Sequence, residues 1–272
     1  AGVGLLHVDD QVASFTAGMD LIVYLFEETR PVHLPDALFN AGKGEDGILL
    51  NIEIILEIRA GKFLISFDLD GTLVTEEFTR MVWHRGMPAL YADQYCCDLE
   101  HAQELLLREY NKIGDDALEW YDIRYWFRFF DLSGSWTSLI ATFIPHIKTF
   151  PEVHDVLHQL SSRYQLMITS NAAREFLDTE IAAAGIADYF THVVSATSDF
   201  QQVKKDGAFY QKLCRRLDIA ADELVHVGDH YRFDYLVPSG LGIKSFFLDR
   251  SGTRSGPCMV SDLKEFCNRL ET

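Results

Sequence analysis

The chain has 272 residues, enough for one large domain or two smaller ones, and 48% of them are hydrophobic. Its formal net charge of -17 argues against a surface that binds nucleic acids and against association with an anionic membrane. The same charge repels anionic substrates at long range, so any phosphate site must be a local concentration of positive charge.

Residues 1–61 contain no catalytic motif. They hold ten acidic residues against three basic ones, and two apolar runs are separated by a loop rich in proline and glycine. We interpret them as an accessory segment of unknown role, with homodimer formation as one use. No secretory signal is evident, and the five cysteines lack metal-binding spacing, so reduced thiols and a cytoplasmic protein are expected.

From residue 62 onwards, short apolar segments alternate with helical patterns. Strands are predicted at residues 63–67, 164–169, 192–195, 224–227 and 243–248, and helices at 151–162, 172–184, 207–217 and 261–270. This alternation indicates a doubly wound parallel sheet, which is a Rossmann-like α/β fold. We assign this core domain to residues 62–74 and 151–272.

Residues 75–150 interrupt the alternation. No strand pattern is evident there, helices are predicted at residues 100–110 and 116–130, and tryptophan, tyrosine and phenylalanine are frequent. We interpret this segment as a helical cap domain whose aromatic side chains fill its own core. Lining of a substrate pocket is the alternative use of these side chains.

Four polar motifs occur in order, three of them at the ends of predicted strands. They are Asp68-x-Asp70-Gly71-Thr72, Ser170-Asn171, Lys204 and Gly228-Asp229-x-x-x-x-Asp234. Because ligands of parallel sheets bind beyond the carboxyl ends of the strands, these motifs are expected to form one site.

The first motif fits phosphoryl transfer. A carboxylate such as Asp68 can attack phosphorus and form an acyl phosphate, which divides one hard hydrolysis into two easier steps. Asp70 can protonate the leaving oxygen and then deprotonate the attacking water. Gly71 permits a tight turn close to a ligand, and Thr72 can donate a hydrogen bond to that ligand.

The other motifs supply ligands for a metal ion and a phosphate. Mg²⁺ prefers hard oxygen ligands, so Asp229 can complete a metal site with Asp68, while Asp234 ligates or orients from the same loop. The Ser170-Asn171 pair can hydrogen-bond a phosphoryl oxygen, and Lys204 can neutralise its charge.

These motifs resemble those of the haloacid dehalogenase (HAD) superfamily of phosphohydrolases, over residues 62 to about 250. The resemblance implies that Asp68 is the nucleophile and that Asp70 is the general acid/base, with its backbone carbonyl on Mg²⁺. It implies four further ligands, Ser170 and Lys204 for phosphate and Asp229 and Asp234 for the metal. The insert is similar to a C1-type cap, and residues 82–86 and 195–200 resemble poorly characterised archaeal and bacterial members.

The third motif departs from the family pattern. Many relatives have Lys-Pro-Asp-Pro, where this chain has Lys204-Lys205-Asp206-Gly207. Lys204 falls at the lysine position of the family and Lys205 at the proline, and Lys205 is the alternative phosphate ligand.

We therefore expect a Mg²⁺-dependent phosphatase that acts on a small phosphorylated metabolite. The dehalogenases of the superfamily lack the acid/base aspartate, so the presence of Asp70 favours a phosphatase. The alternatives are a phosphomutase or a phosphonate hydrolase on the same core, or a non-catalytic protein that binds a ligand. Four further polar residues are weaker candidates for substrate or metal contacts: His84, Arg85, Arg174 and His230.

Overall fold

In the computed structural model, residues 63–203 and 205–270 are described. The accessory segment predicted for residues 1–61 and the predicted phosphate ligand Lys204 lie outside these ranges. No helix in the described part of the chain is both long and apolar enough to cross a membrane.

A single sheet of six parallel strands forms the centre of the described structure. The strands are β1 (Leu64–Phe67), β2 (Gln165–Ser170), β3 (His192–Ser195), β4 (Leu224–Gly228), β5 (Lys244–Leu248) and β6 (Met259–Val260). Their order across the sheet is β3-β2-β1-β4-β5-β6, which confirms the predicted α/β fold. Each of the five predicted strands is found with its ends within one residue, whereas β6 was missed because two residues carry no periodic signal.

The described helices both cover this sheet and form the insert. In chain order they are α1 (Glu77–Met81), α2 (Met87–Tyr95), α3 (Leu99–Ile113), α4 (Ile123–Phe129), α5 (Trp136–Phe143), α6 (Val153–Ser161), α7 (Arg174–Ala183), α8 (Ala196–Phe200), α9 (Gly207–Leu217), α10 (Val237–Gly240) and α11 (Leu263–Leu270). Helices α6, α7 and α11 pack against one face of the sheet, and α9 packs against the other. Strands covered on both faces must be apolar throughout, and all four residues of β1 are buried.

The register of the sheet brings three strand ends together. Phe67, the last residue of β1, pairs with Ile168 of β2 on one side and with Val227 of β4 on the other. The chain runs outwards from β1 to β3 in one direction and begins again at β4 on the opposite side. The crevice at such a switch point is where ligands bind in open α/β sheets.

The insert between β1 and β2 is helical, with no extended strand in its described structure. The helix predicted at residues 100–110 is α3, whereas the one predicted at residues 116–130 is divided into a 3₁₀ turn (Leu118–Tyr121) and α4. The division occurs because Asp122 adopts an extended conformation and its side chain accepts a hydrogen bond from the backbone N–H of Arg124, which caps a new helix. Helices α1, α2 and α5 were not predicted.

The chain enters and leaves the insert at adjacent points. The N–H of Thr75 donates to the carbonyl of Lys148 at 2.9 Å, and the N–H of Phe150 donates to the carbonyl of Leu73 at 3.2 Å. Arg250 reinforces this junction, since its guanidinium donates to the carbonyl of Thr72 at 2.7 Å and lies 3.5 Å from the centre of the Phe150 ring. The orientation of the insert is therefore linked directly to the turn that follows β1.

Candidate active site

The turn after β1 holds the first pair of aspartates. The N–H of Asp68 donates to the carbonyl of Val227 at 2.9 Å, which extends the β1–β4 ladder by one residue. Gly71 then adopts a φ of +74°, and a Cβ at this position would lie 2.2 Å from Oδ2 of Asp229. Only glycine therefore satisfies both the backbone conformation and the close approach of the Asp229 carboxylate.

Lys205 links two of the carboxylates at the centre of the site. Its Nζ is 2.5 Å from Oδ1 of Asp68, 2.6 Å from Oδ1 of Asp234 and 3.1 Å from the carbonyl oxygen of Thr169. The lysine is only 1% exposed, and these three acceptors engage its three N–H groups. Lys205, the alternative lysine of the third motif, is thus the one that the described structure brings to the carboxylates. The predicted role of Lys204 stays a prediction.

The electrostatics of this cluster follow from burial and from its mutual charges. Burial raises the pKa of Asp68 well above its usual range, and the negative charges of Asp234 and Asp229 add to this effect, although Lys205 opposes it. For Asp234, burial alone would raise the pKa, but Lys205 and His226 outweigh burial and hold it below its usual range. Asp68 and Asp234 thus differ because Asp234 has more donors around it.

Three carboxylates at the strand ends could hold a metal ion. Carboxylate oxygens of Asp68, Asp229 and Asp234 all lie within 4.8 Å of one another. Burial and the charge of Asp234 raise the pKa of Asp229 to about 7, although Lys205 opposes this shift. Three carboxylates here face the single ammonium of Lys205. A Cβ on Gly228 would lie 2.4 Å from Oδ2 of Asp234, so the sequence keeps this position open for the carboxylate. The oxygen donors and the uncompensated negative charge fit a hard divalent cation such as Mg²⁺.

Asp70 lies in a different environment from Asp68. Its Oδ1 accepts a hydrogen bond of 3.3 Å from the hydroxyl of Thr79 in α1, and burial raises its pKa to about 6. Glu180 of α7 is fully buried, and its carboxyl lies close to that of Asp70. Burial and the negative charge of Asp70 raise the pKa of Glu180 well above its usual range. Asp70 can therefore carry a proton close to neutral pH.

A chain of buried hydrogen bonds supports the cluster from below. The hydroxyls of Thr169 and Ser66 are 2.8 Å apart, Ser66 Oγ is 2.9 Å from Nδ1 of His226, and Nε2 of His226 is 3.1 Å from Oδ1 of Asp234. Burial lowers the pKa of His226, which favours the neutral imidazole. A neutral ring that donates from Nε2 to the carboxylate must accept at Nδ1 from Ser66, so this chain fixes the orientation of Asp234.

The predicted phosphate ligands divide into two groups. Ser170 and Asn171, at the end of β2, both line the cavity above the carboxylates, and Ser170 Oγ accepts a hydrogen bond of 3.0 Å from the N–H of Ala172. Thr72 is fully buried, does not line this cavity, and its hydroxyl has no partner among the described residues. The structure therefore does not bring the Thr72 side chain to the cavity, and its phosphate role stays a prediction.

The cavity has a volume of about 540 Å³ and lies between the sheet edge and the insert. Its floor consists of the predicted catalytic and metal-binding aspartates together with Lys205 and Ser170. Of the weaker candidates, His84 and His230 line it. Arg85 and Arg174 do not, and the guanidinium of Arg174 is bound to Asp199 and to the carbonyl of Val193.

Substitution of Lys205 tests its place in the site. We expect Lys205→Met to lower the free energy of unfolding by about 3–5 kcal/mol, because it leaves Asp68 and Asp234 buried without their cation. Urea unfolding of the purified protein measures this loss. Lys204→Met is the matched comparison at the adjacent lysine, and a larger loss in that variant would contradict the central position of Lys205.

Sequence reasoning missed several residues that touch the predicted ones. Thr79 and Glu180 flank Asp70 from helices, where a single polar residue carries no signal of its own. His226 was detectable, since it is a polar residue in the centre of an otherwise apolar strand and lies opposite Ser66 across the β1–β4 pair. A buried polar residue in that position needs a partner.

Comparisons with known proteins agree with this architecture. A family model described as haloacid dehalogenase-like hydrolase matches residues 64–238. Haloacid dehalogenase-like hydrolase domain-containing protein 3 of Danio rerio is 34% identical over 83 residues, which cover 30% of this chain and 34% of that protein. The match thus spans about a third of the length of this curated relative.

Solved structures share the fold. A HAD phosphatase from Thermococcus onnurineus is similar with a TM-score of 0.67 and 23% identity, over 76% of this chain and 97% of that one. A 2-haloacid dehalogenase from Pseudomonas syringae pv. Tomato DC3000 is similar with a TM-score of 0.56 and 22% identity, over 77% of this chain and 98% of that one. At these identities the similarity establishes the fold alone. The reaction has to be argued from the residues of the site.

Proposed function

The chain belongs to the haloacid dehalogenase-like hydrolases, and on this basis we propose that it is a Mg²⁺-dependent phosphatase of a small phosphorylated metabolite. The observation that carries the proposal is the pair Asp68 and Asp70, a nucleophile bound to Lys205 and a second carboxyl with a pKa raised to about 6 by burial. A dehalogenase needs the first carboxylate but has no use for a proton donor at the second.

In the first step, an oxygen of Asp68 attacks the phosphorus of the substrate and forms an acyl phosphate as the bond to the leaving alcohol breaks. Asp70 gives its proton to the departing oxygen, so that the alcohol leaves neutral. The positive charge of Lys205 and the hydroxyl of Ser170 at the cavity floor can stabilise the charge on the phosphoryl oxygens.

In the second step, Asp70 is a carboxylate and takes a proton from water as that water attacks the acyl phosphate. Asp68 is thereby released as a carboxylate together with inorganic phosphate. Asp68, Asp229 and Asp234 would hold the metal ion, with the Asp70 carbonyl as the further ligand that the family resemblance implies. When bound, such an ion adds positive charge beside the phosphoryl group and compensates the carboxylates around it.

The test of this proposal is phosphate release from a panel of alkyl phosphates with Mg²⁺ and after its removal by a chelator. We expect turnover with Mg²⁺, a loss of at least about a hundredfold in kcat on chelation, and recovery when Mg²⁺ is restored. The recovery controls for irreversible unfolding during chelation.

A haloacid substrate is the matched comparison within the same experiment. We expect no halide release from a 2-haloacid under conditions that give phosphate release from the phosphate esters. Halide release with no phosphatase activity would overturn the proposal in favour of a dehalogenase, and the absence of both activities would favour a protein that only binds its ligand.

A further inference from the structure

The cavity above the carboxylates has two chemically different ends. Its floor contains the charged groups of the sheet edge, whereas the side chains that the insert and α7 contribute include Trp83, Tyr110, Trp120, Tyr121 and Phe176. The charged floor is suited to a phosphoryl group. The aromatic side chains, called the aromatic wall below, are not needed to bind that group. Because this wall lines the same cavity as the floor, the alcohol part of a phosphate ester bound at the floor can contact it.

The aromatic wall is held rigidly. The rings of Trp83 and Phe176 are stacked with their centres 5.4 Å apart and their planes at 17°. Tyr110 meets Trp83 and Trp120 edge to face, with centres 5.8 Å and 6.2 Å away. Trp83 and Trp120 are only half-buried, so they expose ring surface to the cavity. Such surfaces favour another planar ring over a saturated one, because aromatic pairs gain from their quadrupoles beyond the area that they bury.

The aromatic wall lacks a buried cation that could pair with a second negative charge on the substrate. The described lining residues that can carry positive charge are Lys205, Arg80, His84 and His230. Lys205 already engages three acceptors, and the other three side chains are exposed. A carboxylate or a second phosphate deep in the aromatic part of the cavity would therefore lack a buried cation, which is costly.

One polar group in the wall lacks a partner. Tyr110 is 5% exposed, lines the cavity, and its hydroxyl makes no hydrogen bond to any described residue. Its ring also packs edge to face against Trp126, with centres 4.6 Å apart, so the hydroxyl oxygen is held at this position. A buried phenol of this kind is a donor for a ligand atom.

We propose that the substrate is the phosphate monoester of an alcohol bearing an uncharged aromatic ring, and that this ring lies against Trp83 and Trp120 with an acceptor atom that receives the Tyr110 hydroxyl. This inference rests on the proposed phosphatase activity and narrows it to one substrate class. Sugar phosphates and esters with a second anionic group are poor substrates on this basis.

Matched phosphate esters test the aromatic preference. Benzyl phosphate and cyclohexylmethyl phosphate differ in the planarity of one ring, while their alcohols have similar acidity, so the comparison reports recognition instead of leaving-group reactivity. We expect kcat/KM to be about fivefold higher for benzyl phosphate than for cyclohexylmethyl phosphate. For phosphoglycolate we expect kcat/KM to be at least about tenfold lower than for benzyl phosphate. Trp120→Leu should reduce the benzyl preference, since it keeps the wall apolar but removes an aromatic ring.

The hydrogen bond from the Tyr110 hydroxyl to an acceptor on the substrate ring is tested with pyridin-4-ylmethyl phosphate, in which a nitrogen replaces one CH group of the benzyl ring. We expect its kcat/KM to exceed that of the benzyl ester by about tenfold in the wild type, and this ratio to fall to about one in Tyr110→Phe. Comparing ratios between the two proteins cancels the intrinsic reactivity of the esters. Tyr95→Phe is the matched control, because its phenol donates to the carbonyl of Phe130 outside the cavity and should leave the ratio unchanged.

The outcomes separate this inference from the proposed function. Hydrolysis of cyclohexylmethyl phosphate or phosphoglycolate as fast as the benzyl ester would overturn the aromatic preference and leave the phosphatase intact. A pyridyl preference that survives Tyr110→Phe would overturn the role of the Tyr110 hydroxyl. Failure of every ester, with Mg²⁺ present, would overturn both proposals together.

Discussion

Replacing Asp68 by asparagine should lower kcat for every phosphate ester by at least about a thousandfold, because the amide cannot form the acyl phosphate. The substitution keeps the size of the side chain and removes one of three crowded carboxylates. Lys205 retains Asp234 and the Thr169 carbonyl as acceptors, so we expect the variant to fold. Steady-state phosphate release from the purified variant measures the effect.

The control for this experiment is the same chemical change far from the site. Asp155 is exposed and lies in the first turn of α6. We expect the turnover of the Asp155→Asn variant to match that of the wild type. If the Asp68→Asn variant unfolds at the same temperature as the wild type, its loss of activity is due to the missing nucleophile and not to a loss of folding. Turnover close to that of the wild type in Asp68→Asn would contradict the covalent mechanism.

Asp70→Asn should produce a loss that depends on the leaving group. For an alkyl phosphate the departing alkoxide is a poor leaving group without a proton, so we expect the rate of the first step to fall by about a thousandfold. For 4-nitrophenyl phosphate the departing phenolate needs no proton, and the loss in the first step should be far smaller. Single-turnover kinetics with the two esters distinguish these cases.

Thr79→Val provides a graded comparison. It removes the hydroxyl that donates to Asp70 at 3.3 Å but leaves the carboxyl itself in place. Because this hydrogen bond lowers the pKa of Asp70, its removal keeps the proton donor, and we expect a loss far smaller than that of Asp70→Asn on both esters. Equal losses on both esters in Asp70→Asn would show that this residue does not act as the proton donor. Such a result would remove the main argument for a phosphatase over a dehalogenase.

Three of the four motifs could be placed from sequence because each follows a short apolar strand, and strand ends in a parallel sheet share one edge. Asp68, Ser170 and Asp229 illustrate this, since each lies within two residues of Phe67, Ile168 and Val227, which the register aligns. The insert was harder to predict, as its helices are short and one is divided by the cap at Asp122.

The sequence pattern around the third motif does not determine which of its two lysines contacts the carboxylates. Two adjacent lysines have the same chemistry, and the family spacing favoured Lys204. In the described structure the ammonium of Lys205 reaches the carboxylates, a contact that no periodicity records, and the role of Lys204 stays a prediction.

The sequence by itself determined the fold class, the strand ends and the residue types of the candidate site, because apolar periodicity and motif order are local properties of the chain. The tertiary structure showed that Lys205 meets Asp68, that His226 contacts Asp234, and that aromatic side chains of the insert face the same cavity as the carboxylates. These contacts join residues distant along the chain, such as Asp68 and Lys205, and their distances follow only when the sheet, its covering helices and the insert are packed together.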